Sequence, residues 1–174
     1  MNNILKWKRI ESEGDFEAFS RLVFNEQVIQ MDMGRAFTPE EAEDYFAILL
    51  RYNRENPDSG MYMVFDGGTF LGVGALFVRP EGAEMEYMLQ PEYWNRGYAT
   101  KIVGELLRIA RKIPELHQIR AMMAPQNAAS KRVLIKNGFA YEKTVHIDED
   151  DSDAEVYRLH YRVSARTEDS GGRF

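Results

Sequence analysis

The amino-acid sequence predicts an α+β fold: a mixed, mainly antiparallel sheet flanked by helices. Three observations predict it. Apolar residues recur at helical spacing through the first third of the chain, then switch to strand-like runs between glycine-rich turns. A strand–helix–strand pattern over residues 83–123 calls for a right-handed crossover, and therefore for one parallel strand pair. Two closing strand-like runs, separated by an acidic turn, add an antiparallel hairpin.

In order, Phe16, Phe19, Leu22 and Val23 share one face of a helix that starts near Asp15. A second helix opens at Thr38-Pro39-Glu40-Glu41. Thr38 suits the cap, Pro39 the first helical position, and Glu41 completes a capping box. Ala42, Tyr45, Phe46 and Leu49 form its buried stripe, and Asn56-Pro57-Asp58-Ser59-Gly60 ends it. Strands follow at 61–65 and 69–78, joined by Asp66-Gly67-Gly68, and at 83–89 after the turn Arg79-Pro80-Glu81-Gly82. Ala99, Ile102, Val103, Leu106 and Ala110 mark a helix that stops before Pro114. A strand at 117–123 enters a loop at Pro125, and a short helix at 128–137 closes on Gly138. The last strands span 139–147 and 154–163. Residues 1–165 read as one domain, and 166–174 as a flexible tail.

Composition narrows the function classes. A chain of 174 residues with 44% hydrophobic and 29% charged residues is ordinary for a globular domain and unlike a disordered one. The absence of cysteine excludes disulfides, thiolate metal sites and a cysteine nucleophile, and is compatible with a cytoplasmic location. No apolar run approaches the roughly 20 residues that span a bilayer, and the N-terminus lacks a signal-peptide core. The net charge of −6 argues against general nucleic-acid binding, which depends on neutralising phosphates.

The informative segment is Leu89-Gln90-Pro91-Glu92-Tyr93-Trp94-Asn95-Arg96-Gly97-Tyr98-Ala99-Thr100. A strand ends, a short loop carries Gly97 and the small Ala99, and an amphipathic helix begins. Unpaired amides and the positive end of the helix dipole make such a helix start an anion site. Arg96 and Lys101 add charge beside it.

These residues resemble the acetyl-CoA pyrophosphate signature of the GNAT acetyltransferase superfamily, here written Trp94-Asn95-Arg96-Gly97-Tyr98-Ala99-Thr100. Downstream, Asn127-Ala128-Ala129-Ser130, then Lys136-Asn137-Gly138-Phe139, is similar to the family's Asn-x-x-Ser, helix and Gly-Phe. The N-terminal helix pattern is similar to the branch of ribosomal-protein N-terminal acetyltransferases and their small-molecule relatives.

The resemblance implies a twisted sheet of about six to seven strands in which the parallel pair is splayed around a bulge. It implies acetyl-CoA as acyl donor, no metal, a small-molecule or peptide amine as acceptor, and a monomer or homodimer. Backbone amides near Met88, Leu89 and Gln90 would hold the pantetheine and polarise the thioester, and Trp94–Thr100 the diphosphate. Asn127 would bind the pantetheine arm and Ser130 the departing thiolate. A glutamate at the start of the 83–89 strand serves as base in several members, and Glu84 lines up slightly better than Glu86. Both point to one sheet face with Met88. Their alternative role is that of partly exposed surface glutamates. Asn127 and Ser130 also suit simple helix capping.

Three departures matter. Trp94 replaces the usual Gln or Arg. Asn95 stands where glycine is common, a place asparagine can fill at positive φ. Leu134 occupies the position where many relatives carry a tyrosine proposed as general acid, so Ser130 becomes the better candidate. A non-catalytic CoA-binding or regulatory module with the same fold is the alternative function. His117, His146 and His160 lack metal-ligand spacing. The run from Asp148 to Asp153 reads as a solvated hairpin turn, with attraction of a cationic acceptor as its other reading. Met31, Met33, Tyr45 and Phe46 read as core, with residues around 28–37 able to line an acceptor cleft.

Overall fold

A computed structural model describes residues 4–31, 35–148 and 151–160 of the chain. Met33, part of the acidic turn, the end of the last expected strand and the tail lie outside the described residues. Seven strands form one sheet in the order β1-β2-β3-β4-β5-β7-β6. They are β1 (Lys6–Arg9), β2 (Gly60–Asp66), β3 (Thr69–Arg79), β4 (Gly82–Leu89), β5 (Gln118–Met123), β6 (Ala140–Ile147) and β7 (Ser152–His160). The helices are α1 (Phe16–Val23), α2 (Glu26–Ile29), α3 (Pro39–Glu55), α4 (Tyr98–Ala110) and α5 (Ala128–Lys136).

The sequence reading missed β1 and the short α2. Lys6-Trp7-Lys8-Arg9 carries three cations and no apolar run, yet pairs antiparallel with β2 as an edge strand. Charged side chains suit an edge because they discourage further pairing. Helix α2 has four residues and is fixed by Asn25, whose side chain accepts from the Gln27 amide. The expected capping box at α3 is present: Thr38 accepts from Glu41 N–H, and Glu41 accepts from Thr38 N–H. Arg35 hydrogen-bonds the same carboxylate and, with the Thr38 amide, lowers its pKa to about 2.

Each sheet face carries its own core. Alternation along β3 and β4 sends Val73, Ala75, Phe77 and Met88 to the face covered by α1, α2 and α3. Leu76, Met85 and Leu89 go to the opposite face, against Ile102, Val103 and Leu106 of α4 and Leu134 of α5. All pairings are antiparallel except β4 with β5, the crossover pair expected from the sequence. That parallel pairing covers only Ala83↔Ile119 and Glu84↔Arg120, after which the strands part. The expected bulge is not in β4, whose register with β3 runs unbroken from Arg79↔Gly82 to Gly72↔Leu89. A register shift lies one strand over, against β2, where Leu71 is the extra residue between Phe70 and Gly72, and another lies between β6 and β7 at Tyr141/Lys143.

Candidate functional site

Where β4 and β5 diverge, a cavity of about 500 Å³ opens between them and continues along the start of α4 and one side of α5. Of the residues singled out in the sequence, Glu86, Met88, Leu89, Trp94, Asn95, Gly97, Tyr98, Ala99, Thr100, Asn127 and Ser130 line it.

The loop before α4 takes the form that its residues allow. Asn95 adopts φ 58° and Gly97 φ 81°, both left-handed. Gly97 is the N-cap of α4, no side chain caps the helix there, and its first turn carries no acid. A Cβ on Gly97 would meet no protein atom within 4 Å. The required glycine thus reflects backbone conformation and leaves open space before the unpaired amides of the first turn. Tyr98 Oη donates to Asp66 Oδ2 at 2.7 Å, and this bond raises the phenol's pKa, keeping it neutral beside the uncapped helix start. Arg96 is outside the lining, its guanidinium 5.9 Å from the centre of the Tyr93 ring.

The three β4 amides expected to serve the thioester are not equivalent. Gln90 N–H donates to Leu71 O at 2.9 Å, and its side-chain amide donates to Phe70 O at 2.7 Å. Gln90 therefore braces β3 and does not line the cavity. Bonded and open pairs alternate along an antiparallel ladder. The Gln90 bond fixes the phase, so Met88 turns its N–H to β3 while Tyr87 and Leu89 turn theirs toward the gap left by β5. The Leu89 carbonyl follows the same phase and accepts from Trp94 Nε1 at 2.8 Å.

The two glutamates share a face, as strand alternation requires, but have different surroundings. Glu84 lies outside the cavity and pairs with Arg120 at 3.3 Å. Glu86 is in the wall and accepts from the Tyr45 hydroxyl at 3.3 Å. Tyr45 is held edge-on to Phe37 and tilted against Phe19, so its direction is set by aromatic packing against α1 and the segment that precedes α3. Tyr45 was read from the sequence only as core, because no local signal reports a contact 41 residues away.

Asn127 is the N-cap of α5: its Oδ1 accepts from Ser130 N–H, and its Nδ2 donates to Met31 O, both at 3.0 Å. The capping alternative is thus realised for the Asn127 side chain, with Ser130 contributing its backbone N–H, and a tie from α5 to Met31, two residues past α2, in addition. Leu134 is fully buried, packed into the core, and lines the cavity. Arg132, which the sequence reading did not single out, and Lys136, which it named only within the Gly-Phe motif, also line the cavity. Their spacing of four along one helix face was the signal available for them. Among the described residues there is no cluster of three or more potential metal ligands, and no helix is long and apolar enough to cross a membrane.

Comparison with known proteins accords with this geometry. An uncharacterized N-acetyltransferase, YoaA, of Bacillus subtilis is 32% identical over 72 residues, covering 41% of each chain. The FsC-acetyl coenzyme A-N(2)-transacetylase of Aspergillus fumigatus is 25% identical, covering 71% of this chain and 57% of its own. The match thus spans well under two thirds of either relative. In fold, the chain superposes on the acetyltransferase of Salmonella typhimurium that modifies the N-terminal serine of ribosomal protein L7/L12. The TM-score is 0.76 at 18% identity, with 93% of this chain and 97% of that one covered. Residues 7–140 match the family model described as an acetyltransferase (GNAT) domain, and the chain belongs to that family.

Proposed function

We propose that the protein transfers an acetyl group from acetyl-CoA to a primary amine by direct attack within a ternary complex. One observation carries the reading: an uncapped helix start with a left-handed glycine opens onto the same cavity that Glu86 enters from the sheet. An acyl donor with a diphosphate and a long thiol arm fits a site with anion-binding amides at one end and parted strands at the other. The names of the relatives support the same donor class.

In this reading the amides of the first turn of α4 hold the diphosphate. The Leu89 N–H, directed into the gap, donates to the thioester oxygen, a type of contact worth about 2.7–4 kcal/mol in other enzymes. Glu86 removes the amine proton, and the nitrogen–carbon bond forms as the carbon–sulfur bond breaks. Ser130, in the first turn of α5, donates to the departing thiolate. An α-amino group, with an ordinary pKa of about 7.7–8.0, yields its proton more readily than a lysine amine at about 10.4. Holding both reactants in one cleft contributes up to about 7–11 kcal/mol. Glu84, with its ion pair outside the cavity, is the weaker base candidate, which reverses the order suggested by the resemblance.

The test is thiol release from acetyl-CoA across a panel of peptides with free N-termini, amino acids, polyamines and other amines, with calorimetry for CoA itself. Turnover supports the proposal. CoA binding without turnover on any acceptor supports the alternative of a CoA-binding module, which Leu134 in place of a tyrosine favours. Absence of CoA binding removes both.

A further inference from the structure

The two ends of the cavity differ in charge. Toward the sheet, Val28, Met31, Met88 and Met122 line it, and its polar side chains there are Glu86, Tyr87, Gln126 and Asn127, with no cation among them. Helix α5 starts at that end, since Asn127 is bonded to Met31 O. At 1.5 Å per residue, Arg132 and Lys136 lie about 8 and 14 Å farther along the helix axis. Both are exposed at the surface, both line the cavity, and among the described residues neither forms an ion pair. Lys131, their neighbour on the same helix, is instead neutralised by Glu155 at 2.8 Å.

A net charge of −6 makes carboxylates the commoner charged side chain in this protein, yet among the described residues none is matched to these two cations. The diphosphate subsite read at the start of α4 has unpaired amides of its own, while Arg96 and Lys101, outside the cavity lining, rest over Tyr93 and Tyr98. Arg132 and Lys136, four residues apart on the other helix, are the cations among the described residues that line the cavity, away from those amides. Cations held at a cavity rim without partners favour a multiply charged anion, because its binding desolvates no existing ion pair.

Building on the acetyl-CoA reading, we propose that Arg132 and Lys136 form a second phosphate subsite. It selects donors that carry a phosphomonoester on the nucleotide sugar, the 3′-phosphate of CoA, over donors that lack it. The selection is electrostatic and weakens with added salt.

Calorimetry on the full chain with CoA and with 3′-dephospho-CoA tests this, using wild type and the double variant Arg132→Gln/Lys136→Gln. Both positions are exposed, and circular dichroism checks that the variant is folded. Wild type is expected to prefer CoA by at least about tenfold. The double variant should bring that ratio near one while its affinity for 3′-dephospho-CoA stays within about twofold of wild type. Equal wild-type affinity for the two ligands overturns the proposal, as does a variant that weakens both equally or keeps the preference. Wild type that binds neither ligand overturns the acetyl-CoA reading itself, a distinguishable result.

Discussion

Tyr45 Oη on α3 donates to Glu86 Oε2 on β4 across 3.3 Å, linking the helices on one face of the sheet to the carboxylate in the cavity wall. Glu84, two residues earlier on the same strand face, instead pairs with Arg120 outside the cavity. Replacing each glutamate by glutamine separates the two roles. Glu86→Gln is expected to lower kcat/KM by about 10²-fold or more, the scale of general-base catalysis, with CoA affinity unchanged. Glu84→Gln should cost at most about 1 kcal/mol of stability, as a partly exposed ion pair does, and leave turnover near wild type. Steady-state kinetics and CoA calorimetry on both variants decide it. Equal losses of turnover would remove Glu86 from the role proposed for it.

Gly97 separates backbone strain from ligand clash. Its φ of 81° is costly for a residue with a side chain, while a Cβ there meets no protein atom. Gly97→Ala should therefore lose about 1–2 kcal/mol of stability but remain folded. Gly97→Glu should also abolish CoA binding, because its carboxylate enters the space assigned to the phosphates. Thermal melts and calorimetry read the two effects, and normal CoA affinity in the glutamate variant would move the phosphates elsewhere.

Gly72 is constrained by crowding. A Cβ at this position would lie 2.0 Å from Met88 O and 2.8 Å from the Leu89 Cα, both backbone atoms. Gly72→Ala must push β3 from β4 at the point where the gap begins, and overpacking of this kind costs about 1–3 kcal/mol. A lower melting temperature together with a higher KM for the donor is expected. A melting temperature equal to wild type would show that the ladder can yield there.

Asp15 predicts how stability depends on pH. Burial alone would raise its pKa, but Lys8 and the amides of Glu11 and Ser12 outweigh that and hold it below its ordinary 3.8. A carboxylate whose folded pKa is lowered stabilises the protein above its unfolded value, and the contribution is lost as pH falls through the folded value. Asp15→Asn should thus be less stable at neutral pH, by about 1.5–3 kcal/mol, with the difference shrinking below about pH 4. Denaturant titrations across that range check the sign.

The chain's own order of residues determined most of the fold and the uncapped helix start at one end of the candidate site. Helix caps, glycine turns and two-residue or helical periodicity act over a few neighbours, so Thr38, Glu41, Asn95 and Gly97 could be read where they stand. β1 escaped because its partner β2 begins 50 residues later, and four mostly charged residues give no local period. Only the tertiary structure decided which strands carry the register shifts, which β4 amide faces the gap, and which glutamate enters the cavity. Each depends on the phase of strand pairing and on side chains brought together from distant segments: Leu71 with Gln90, Glu84 with Arg120, Tyr45 with Glu86. Alternation placed both glutamates on one face, but packing across the sheet gave them different neighbours.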